Sequence, residues 1–552
     1  VMTLEGFLTN FGVLTEATGG VGHLRNLILE LAAKGQLVSQ QATDEPASIL
    51  VKRIFEEHRI PPSGESLHSV AIPFAIPASW IWGTGALVFT FITSGSRGWA
   101  QHYSEEGPIF LRIGNLNYAT TALDLSSIQR VSPPSDAEGS RTRVQTGDIL
   151  ISITGDTGMI GLVPSDLGEA YVNQHIALSR PSRNICPAYL AKILTAPFSL
   201  GRFQRAQRGI KNSLGLADIK KLLFPIPPLA EQERIVAKVD QLMALCDELE
   251  AQQTKKRETG TKLTQSALDA LTSAEGIEEF AKAWQRVTDN FQILFQKHES
   301  MGELRKAILG LAVRGRLAPQ HQDEEPAAIL LERIRILSPK KTEGRHAKKQ
   351  DVTRAANSAP AIFAPPPQWQ WATFTEVASI ESRLVNPLEH GDQPHIAPDT
   401  IEKSTGRLLS YRTIREDKVT SPKHQFQAGQ LLYSKIRPNL SKAVIVDFDG
   451  LCSADMYPIT SRINTRYLLL CMLSDVFLMQ VVQGDNRLAM PKVNQQQLAA
   501  TVLPIPPLAE QQRIVAKVDQ LLALCDTLES KLRDAEHGAQ RLAEAMVAEI
   551  VA

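Results

Sequence analysis

From Ile235 onward the apolar residues step by four and three: Ile235, Val239, Leu242, Cys246 and Leu249. The spacing returns at Ile514, Val518, Leu521, Cys525 and Leu528, then runs on through Leu532, Ala535, Ala539, Leu542 and Met546. A seam of this period predicts two long amphipathic helices. Pro227-Pro228 and Pro506-Pro507 suit helix entrances, and Glu231 and Glu510 fall in the first turn, where the helix dipole favours negative charge. Two packings bury such a seam. The helices can pair as a coiled coil, or each can lie along its own domain; the seam's length and repetition favour pairing. Past Leu249 the first helix places Gln253, Lys256 and Gly260 on the seam, so its distal half is expected to fray, bend or meet a different partner. Elsewhere the pattern shortens. Runs such as Ile149–Ile153 and Lys442–Val446, broken by Gly, Pro, Asn and Asp, predict short strands, followed by helical stretches at 188–208 and 466–482. The most apolar segment, Tyr467–Val482, is interrupted by Asp475 and too short to span a bilayer, so a buried helix is expected.

The chain contains itself twice. Residues 225–250 (PIPPLAEQERIVAKVDQLMALCDELE) recur at 504–529 with changes only at Glu233/Gln512, Met243/Leu522 and Glu248/Thr527. Gly22–Ile54 likewise matches Gly302–Ile334, and Pro77-x-x-Trp80-x-Trp82 echoes Pro366-x-x-Trp369-x-Trp371. The regions between, 76–224 and 368–503, are far less alike. Gly147-Asp148-Ile149-Leu150 resembles Gly429-Gln430-Leu431-Leu432, but beyond that the regions diverge, one continuing to Val172-Asn173-Gln174-His175 and the other to Cys452-Ser453-Ala454-Asp455. A tandem duplication with two divergent inserts implies that the repeated parts set geometry and the inserts set what is bound. The expected order is a helical segment 1–75, a mixed domain 76–224, a central helical region 225–337, a linker 338–367, a second mixed domain 368–503 and a terminal helix 504–552. Ser338–Pro367 and Pro61–Ser66 have linker composition.

Composition narrows the function. The 552 residues are 43% hydrophobic and 21% charged, as in globular proteins of several domains. No signal peptide is read at the N-terminus. Five cysteines without a CxxC pair argue against a zinc site or a disulfide framework and point to a reducing cytoplasm. Lys plus Arg balance Asp plus Glu at 59 each, so any case for nucleic acid rests on local patches. Those patches exist. Arg202, Arg205, Arg208 and Lys211 step by three and lead into Asn212; the second region offers Lys435, Arg437, Asn439, Lys442, Arg487, Lys492 and Asn494. Arg and Asn suit base edges and Lys suits phosphates. His175, following Asn173-Gln174 without an acidic or cysteine partner, reads as a structural or DNA-contacting residue.

Catalytic signatures are missing. There is no GxxxxGK[ST] loop, and Gly155–Gly161 lacks the lysine such a loop needs. No Pro-Pro pair carries the aromatic of an amino-methyltransferase loop. Pro398-Asp399 with Glu416-Asp417-Lys418 fits a degenerate metal-nuclease pattern. It has no counterpart in the first half. A fused nuclease using Asp399, Glu416 and Lys418, or a scaffold with no DNA role, stands as the alternative.

The PIPPLAEQ(E/Q)RIVAKVDQLxALCD blocks, the Pro-x-x-Trp-x-Trp entries and Asn173-Gln174-His175 together resemble specificity subunits of Type I restriction-modification enzymes. The resemblance runs from about Gly22 onward. It implies an α+β chain of two target-recognition domains, separated by long helices in an antiparallel coiled coil, with an internal pseudo-two-fold repeat. It further implies that each domain reads half of a split DNA site, that the helices set the gap, and that two methyltransferase subunits dock on seam positions Ile235, Val239, Leu242, Ile514, Val518 and Leu521. Restriction/translocase subunits join them. S-adenosylmethionine, ATP and Mg²⁺ would belong to those partners, with no cofactor, metal or membrane for this chain. About 22 helical residues span ~33 Å, near the ~34 Å between half-sites one DNA turn apart.

Overall fold

The computed structural model describes residues 12, 15, 17, 19–58, 72–134, 137–208, 212–274, 277–337, 362–482 and 492–551. Pro61–Ser66 and most of Ser338–Pro367 lie outside them. The chain divides into two compact units, residues 1–256 with 536–552, and residues 257–535.

In the first unit, helices α1 (Gly20–Ala33) and α2 (Ala47–His58) precede the mixed domain. Its strand β1 (Ile81–Thr84) pairs antiparallel with β9 (Leu223–Ile226), so that Trp82 faces Pro225. The weak tryptophan echo and the strong PIPP repeat are therefore partners in one two-stranded clasp. Between them lies a four-stranded sheet ordered β2 (Phe89–Ser94), β8 (Ile176–Pro181), β5 (Ile149–Ser152) and β6 (Ile160–Leu162). A three-stranded sheet is ordered β4 (Gln129–Val131), β3 (Tyr103–Leu111) and β7 (Ala170–Val172), with β3 and β7 parallel. Helices α3 (Pro187–Thr195) and α4 (Pro197–Ala206) follow, each opened by proline. The core joins Ile28, Leu50 and Ile54 of α1 and α2 to Trp80, Tyr189 and Phe224, and to Ile235 and Val239 of the long helix α5 (Leu229–Ser273).

The second unit repeats the plan. Beyond α6 (Ile277–Asp289), helices α7 (Met301–Val313) and α8 (Ala327–Leu337) precede a clasp of β10 (Gln370–Thr373) with β20 (Val502–Ile505), Trp371 facing Pro504. A four-stranded sheet is ordered β11 (Ala378–Ile380), β19 (Met456–Ser461), β16 (Leu431–Ser434) and β17 (Ala443–Ile445). The other sheet has five strands, ordered β12 (Leu384–Val385), β15 (Lys423–Phe426), β18 (Gly450–Cys452), β13 (Pro394–Ile396) and β14 (Arg412–Thr413). The apolar segment Tyr467–Val482 forms two helices, α9 (Thr465–Leu473) and α10 (Asp475–Val482), bent by 59° at the break. Most of its side chains are buried in the core with Ile514 and Val518 of α11 (Leu508–Val551). No single described helix is long and apolar enough to cross a membrane.

The long helices have 45 and 44 residues, about 66–68 Å each, so the 22-residue figure counts only half of each. Each begins in one unit and ends in the other. Their seams are buried in two ways. The first turns bury Ile235, Val239, Ile514 and Val518 against each helix's own domain. Further along, Leu268 and Leu271 of α5 share a cluster with Leu528 and Leu532 of α11. One glycine in each half makes the turn out of the helix before the domain. Gly35 and Gly315 adopt φ +71° and +69°, and a Cβ there would meet Pro77 at 2.5 Å or Pro366 at 2.6 Å.

Candidate nucleic-acid interface

The same polar frame holds both domains onto their long helices. Trp80 Nε1 donates to Glu231 Oε2 at 3.0 Å and Trp369 Nε1 to Glu510 Oε2 at 2.9 Å. The two glutamates are almost fully buried. Burial raises both carboxyls above their ordinary value, while the indole donors pull the other way. Gln232 accepts from the Cys186 amide at 2.9 Å and Gln511 from the Asn464 amide at 3.0 Å. Tyr189 and Tyr467 hydroxyls each donate at 2.8 Å to a clasp carbonyl, Pro225 or Pro504. Arg25 on Asp247 and Glu250 has its counterpart in Arg305 on Asp526 and Glu529.

On this frame each unit builds one backbone junction. In the first, the Asn173 amide donates to Leu111 O at 3.0 Å, Ile153 to His175 O at 2.9 Å and Leu214 to Ile153 O at 2.9 Å. The turn is closed by the His175 amide donating to Asn173 Oδ1 at 3.1 Å. In the second, Ser453 donates to Ile396 O at 2.8 Å, Lys435 to Asp455 O at 2.9 Å and Val493 to Lys435 O at 2.8 Å. The Asp455 amide then donates to Ser453 Oγ at 3.2 Å. The bonding is position for position the same, so the turns 173–175 and 453–455 are equivalent.

The first junction collects several sequence candidates. Gln174 Nε2 lies 3.1 Å from His175 Nε2, and Gln207 reaches Thr157 in the glycine-rich turn at 2.6 Å. Ser213 bridges both Thr154 and Arg208, and Asn212 is exposed at φ 44°. Arg202 and exposed Arg205 sit on α4 with no carboxylate in ion-pair range among the described residues. Burial and the Arg205 guanidinium both disfavour charge on Arg202. Arg208 is held by Asp218 at 2.8 Å. Lys211 lies outside the described residues.

In the second unit the candidates are more often committed internally. Lys435 Nζ donates to Ala454 O at 2.6 Å, and Lys442 Nζ to Pro398 O at 2.6 Å. Lys492 Nζ lies 3.4 Å from Asp455. Asn494 caps the short helix 495–500 through the Gln497 amide at 2.8 Å. Arg437 and Asn439 are exposed. Arg487 lies outside the described residues. Asp455, which the basic pattern did not single out, is the acid around which Lys435 and Lys492 gather.

Burial and bonding bear on the seam positions and on the nuclease-like alternative. Ile235, Val239, Ile514 and Val518 are at most 1% exposed, so their side chains cannot greet a partner; Leu242 and Leu521 are half-buried on the same cores. Glu416 caps its own turn, accepting from the Thr413 amide at 2.8 Å, which holds its carboxyl below the ordinary value. Asp417 binds His395 Nδ1 at 2.7 Å, and Asp399 is exposed on a different turn. Local bonding therefore accounts for Glu416, one of the two acids in the nuclease-like pattern, and for its neighbour Asp417.

Two stretches, 112–258 and 368–535, match the family described as the Type I restriction modification DNA specificity domain, over half of the chain. The chain belongs to that family. As a member of the Type I DNA-specificity family it is a DNA-specificity subunit and not a catalyst. Among its relatives, the Escherichia coli Type I restriction enzyme EcoDI specificity subunit is 38% identical over 258 residues. That match spans 46% of this chain and about half, 54%, of that protein. The Escherichia coli EcoAI specificity subunit is 28% identical over 96% of this chain and 93% of its own length. The HsdS subunit from Thermoanaerobacter tengcongensis superposes with a TM-score of 0.40 at 17% identity, over 88% of this chain and 99% of that one. That likeness is too loose to carry a structural argument.

Proposed function

We propose that the two mixed domains, 76–224 and 368–503, each read one half of a bipartite, asymmetric site in double-stranded DNA. The helical parts, 1–75, 225–337 and 504–552, set the gap, and 338–367 links the halves. The observation that carries this reading is one duplicated frame, bonded alike in both units, presenting different side chains. Equal frames hold equal geometry; unlike side chains read unlike sequences.

Two copies of one methyltransferase subunit dock on the helical parts, joined for restriction by a translocating nuclease. S-adenosylmethionine, ATP and Mg²⁺ bind to those partners, and the complex works in the cytoplasm. The buried seam leaves another face for docking. Leu229 and Leu508, Leu245 and Leu524, and Ile49 and Ile329 are all exposed, at 38–59%. Each pair occupies matching repeat positions, which suits two identical partners. The neutral net charge fits a reader whose partners share the phosphate contacts.

Mapping modified adenines by long-read sequencing tests this, in a methylation-free host expressing the chain with a candidate adenine methyltransferase subunit. A split, asymmetric motif that disappears without this chain is expected. Exchanging residues 76–224 should change one half of that motif only. Loss of adenine modification, with both proteins soluble and associated, would overturn the proposal.

A further inference from the structure

Resting on the reading above, we infer that Asp455 is a base-reading residue of the second unit, occupying the place that His175 holds in the first. The assignment comes from the junctions. Both turns are held by the same set of backbone hydrogen bonds and the same side-chain closure, Asn173 Oδ1 in one and Ser453 Oγ in the other. With the backbone fixed alike, the two turns differ in what they offer. One presents Gln174 and His175, whose Nε2 atoms are 3.1 Å apart. The other presents Ala454 and Asp455.

Asp455 is placed to meet a ligand. Its side chain is 41% exposed, unlike the buried acids that hold the frame. A bare carboxylate would be repelled by a duplex, but Lys492 and Lys435 stand 3.4 and 3.9 Å from Asp455 Oδ1 and offset its charge. Lys435 is fixed in turn by the Ala454 carbonyl and lies 5.5 Å from the centre of the Tyr457 ring. The carboxylate is thus oriented by two ammoniums while its outer face stays open. An acceptor of this kind selects an exocyclic amine, cytosine N4 above all, in the major groove. The first turn, with an amide beside an imidazole, suits an adenine edge. The two halves of the site would then differ because one shared turn carries a carboxylate in one unit and an amide beside an imidazole in the other.

The test uses the full chain with its methyltransferase, reading the methylated motif and the occupancy of each single-base variant. Asp455→Asn, which keeps the shape, should lower discrimination at one position of one half-site by about ten- to a hundredfold, leaving the other half unchanged. Gln174→Ala should do the reverse. An unchanged motif in Asp455→Asn, or changes in both halves, would overturn the inference while the split wild-type motif still supported the reading beneath it. A wild type with no split motif would instead defeat that underlying reading. If Asp455→Asn does not assemble, Gln174→Ala decides alone: an unaltered first half overturns the equivalence.

Discussion

Replacing the glutamate-bound tryptophans, Trp80 and Trp369, by phenylalanine should expose an asymmetry hidden inside the repeat. Glu510 is 1% exposed; its Oε2 accepts from Trp369 and its Oε1 has no partner among the described residues. Glu231 has two donors, Trp80 at 3.0 Å and Gln40 Nε2 at 2.5 Å. The matching Gln320 donates instead to the Gly315 carbonyl at 3.3 Å. Phenylalanine removes the N–H and part of the ring in both places. The missing ring volume costs about 1–2 kcal/mol in either unit. Stranding a buried acceptor adds about 1–3 kcal/mol, and this applies in full only to Glu510. Trp369→Phe should therefore cost about 2–5 kcal/mol against about 1–2 kcal/mol for Trp80→Phe. Urea unfolding by circular dichroism gives the two costs, and amide hydrogen exchange at the start of each long helix assigns them to a unit. In a Glu510→Gln background the gap should narrow, because a neutral acceptor is cheaper to strand. Equal destabilisation in the two variants, or under about 0.5 kcal/mol for Trp369→Phe, would refute the reasoning.

The same glutamates predict a pH dependence. Burial raises both carboxyls in the folded state, so their contribution is complete below the ordinary Glu range, about pH 4.3, and is lost as pH rises through the folded values. Glu231→Gln with Glu510→Gln should flatten that decline and raise Tm at pH 7 by about 2–4 °C; a steeper decline in the variant would count against it. Gly95→Ala would put a Cβ 2.0 Å from the Asn173 carbonyl. It should cut recognition of the first half-site by more than about tenfold, roughly one good base contact, and leave the second half readable in the methylation map. Arg202→Ala with Arg205→Ala should weaken DNA binding evenly across sequences and reduce the salt slope by about one for each phosphate no longer neutralised; an unchanged slope in a titration would reject these arginines as phosphate ligands.

Much of the architecture was legible because duplication shows in sequence whatever the fold. The long helices, their proline entrances and the divergent inserts followed from repeats and period. What the long helices pack against did not. A seam of Ile235, Val239 and Leu242 says that a face is buried, and the same spacing serves a neighbouring helix or a helix's own domain. Here the first turns take the domain, and Leu528 and Leu532 join Leu268 and Leu271 farther along. The basic candidates were blurred for a related reason. An ammonium is satisfied equally by a phosphate or by a carbonyl nearby in space, and Lys442 found Pro398 O, 44 residues away. Asp455 carries no signal in a pattern of cations, because it is an acid. Only the shared backbone bonding shows that it stands where His175 stands.

That each long helix starts in one unit and finishes in the other also orders assembly in time. The first unit counts residues 536–552 among its own, and Ala539 and Ala543 pack there with Ala17 and Leu24. During synthesis its sheets and clasp can form early, but this last packing waits until the ribosome has made the second repeat. A nascent chain halted before Glu536 would hold a first unit with its outer surface at Ala17 and Leu24 uncovered, open to the tail of any other copy. Exchange of helix ends between molecules would then be a hazard of slow translation, with polysome density rather than temperature as its control.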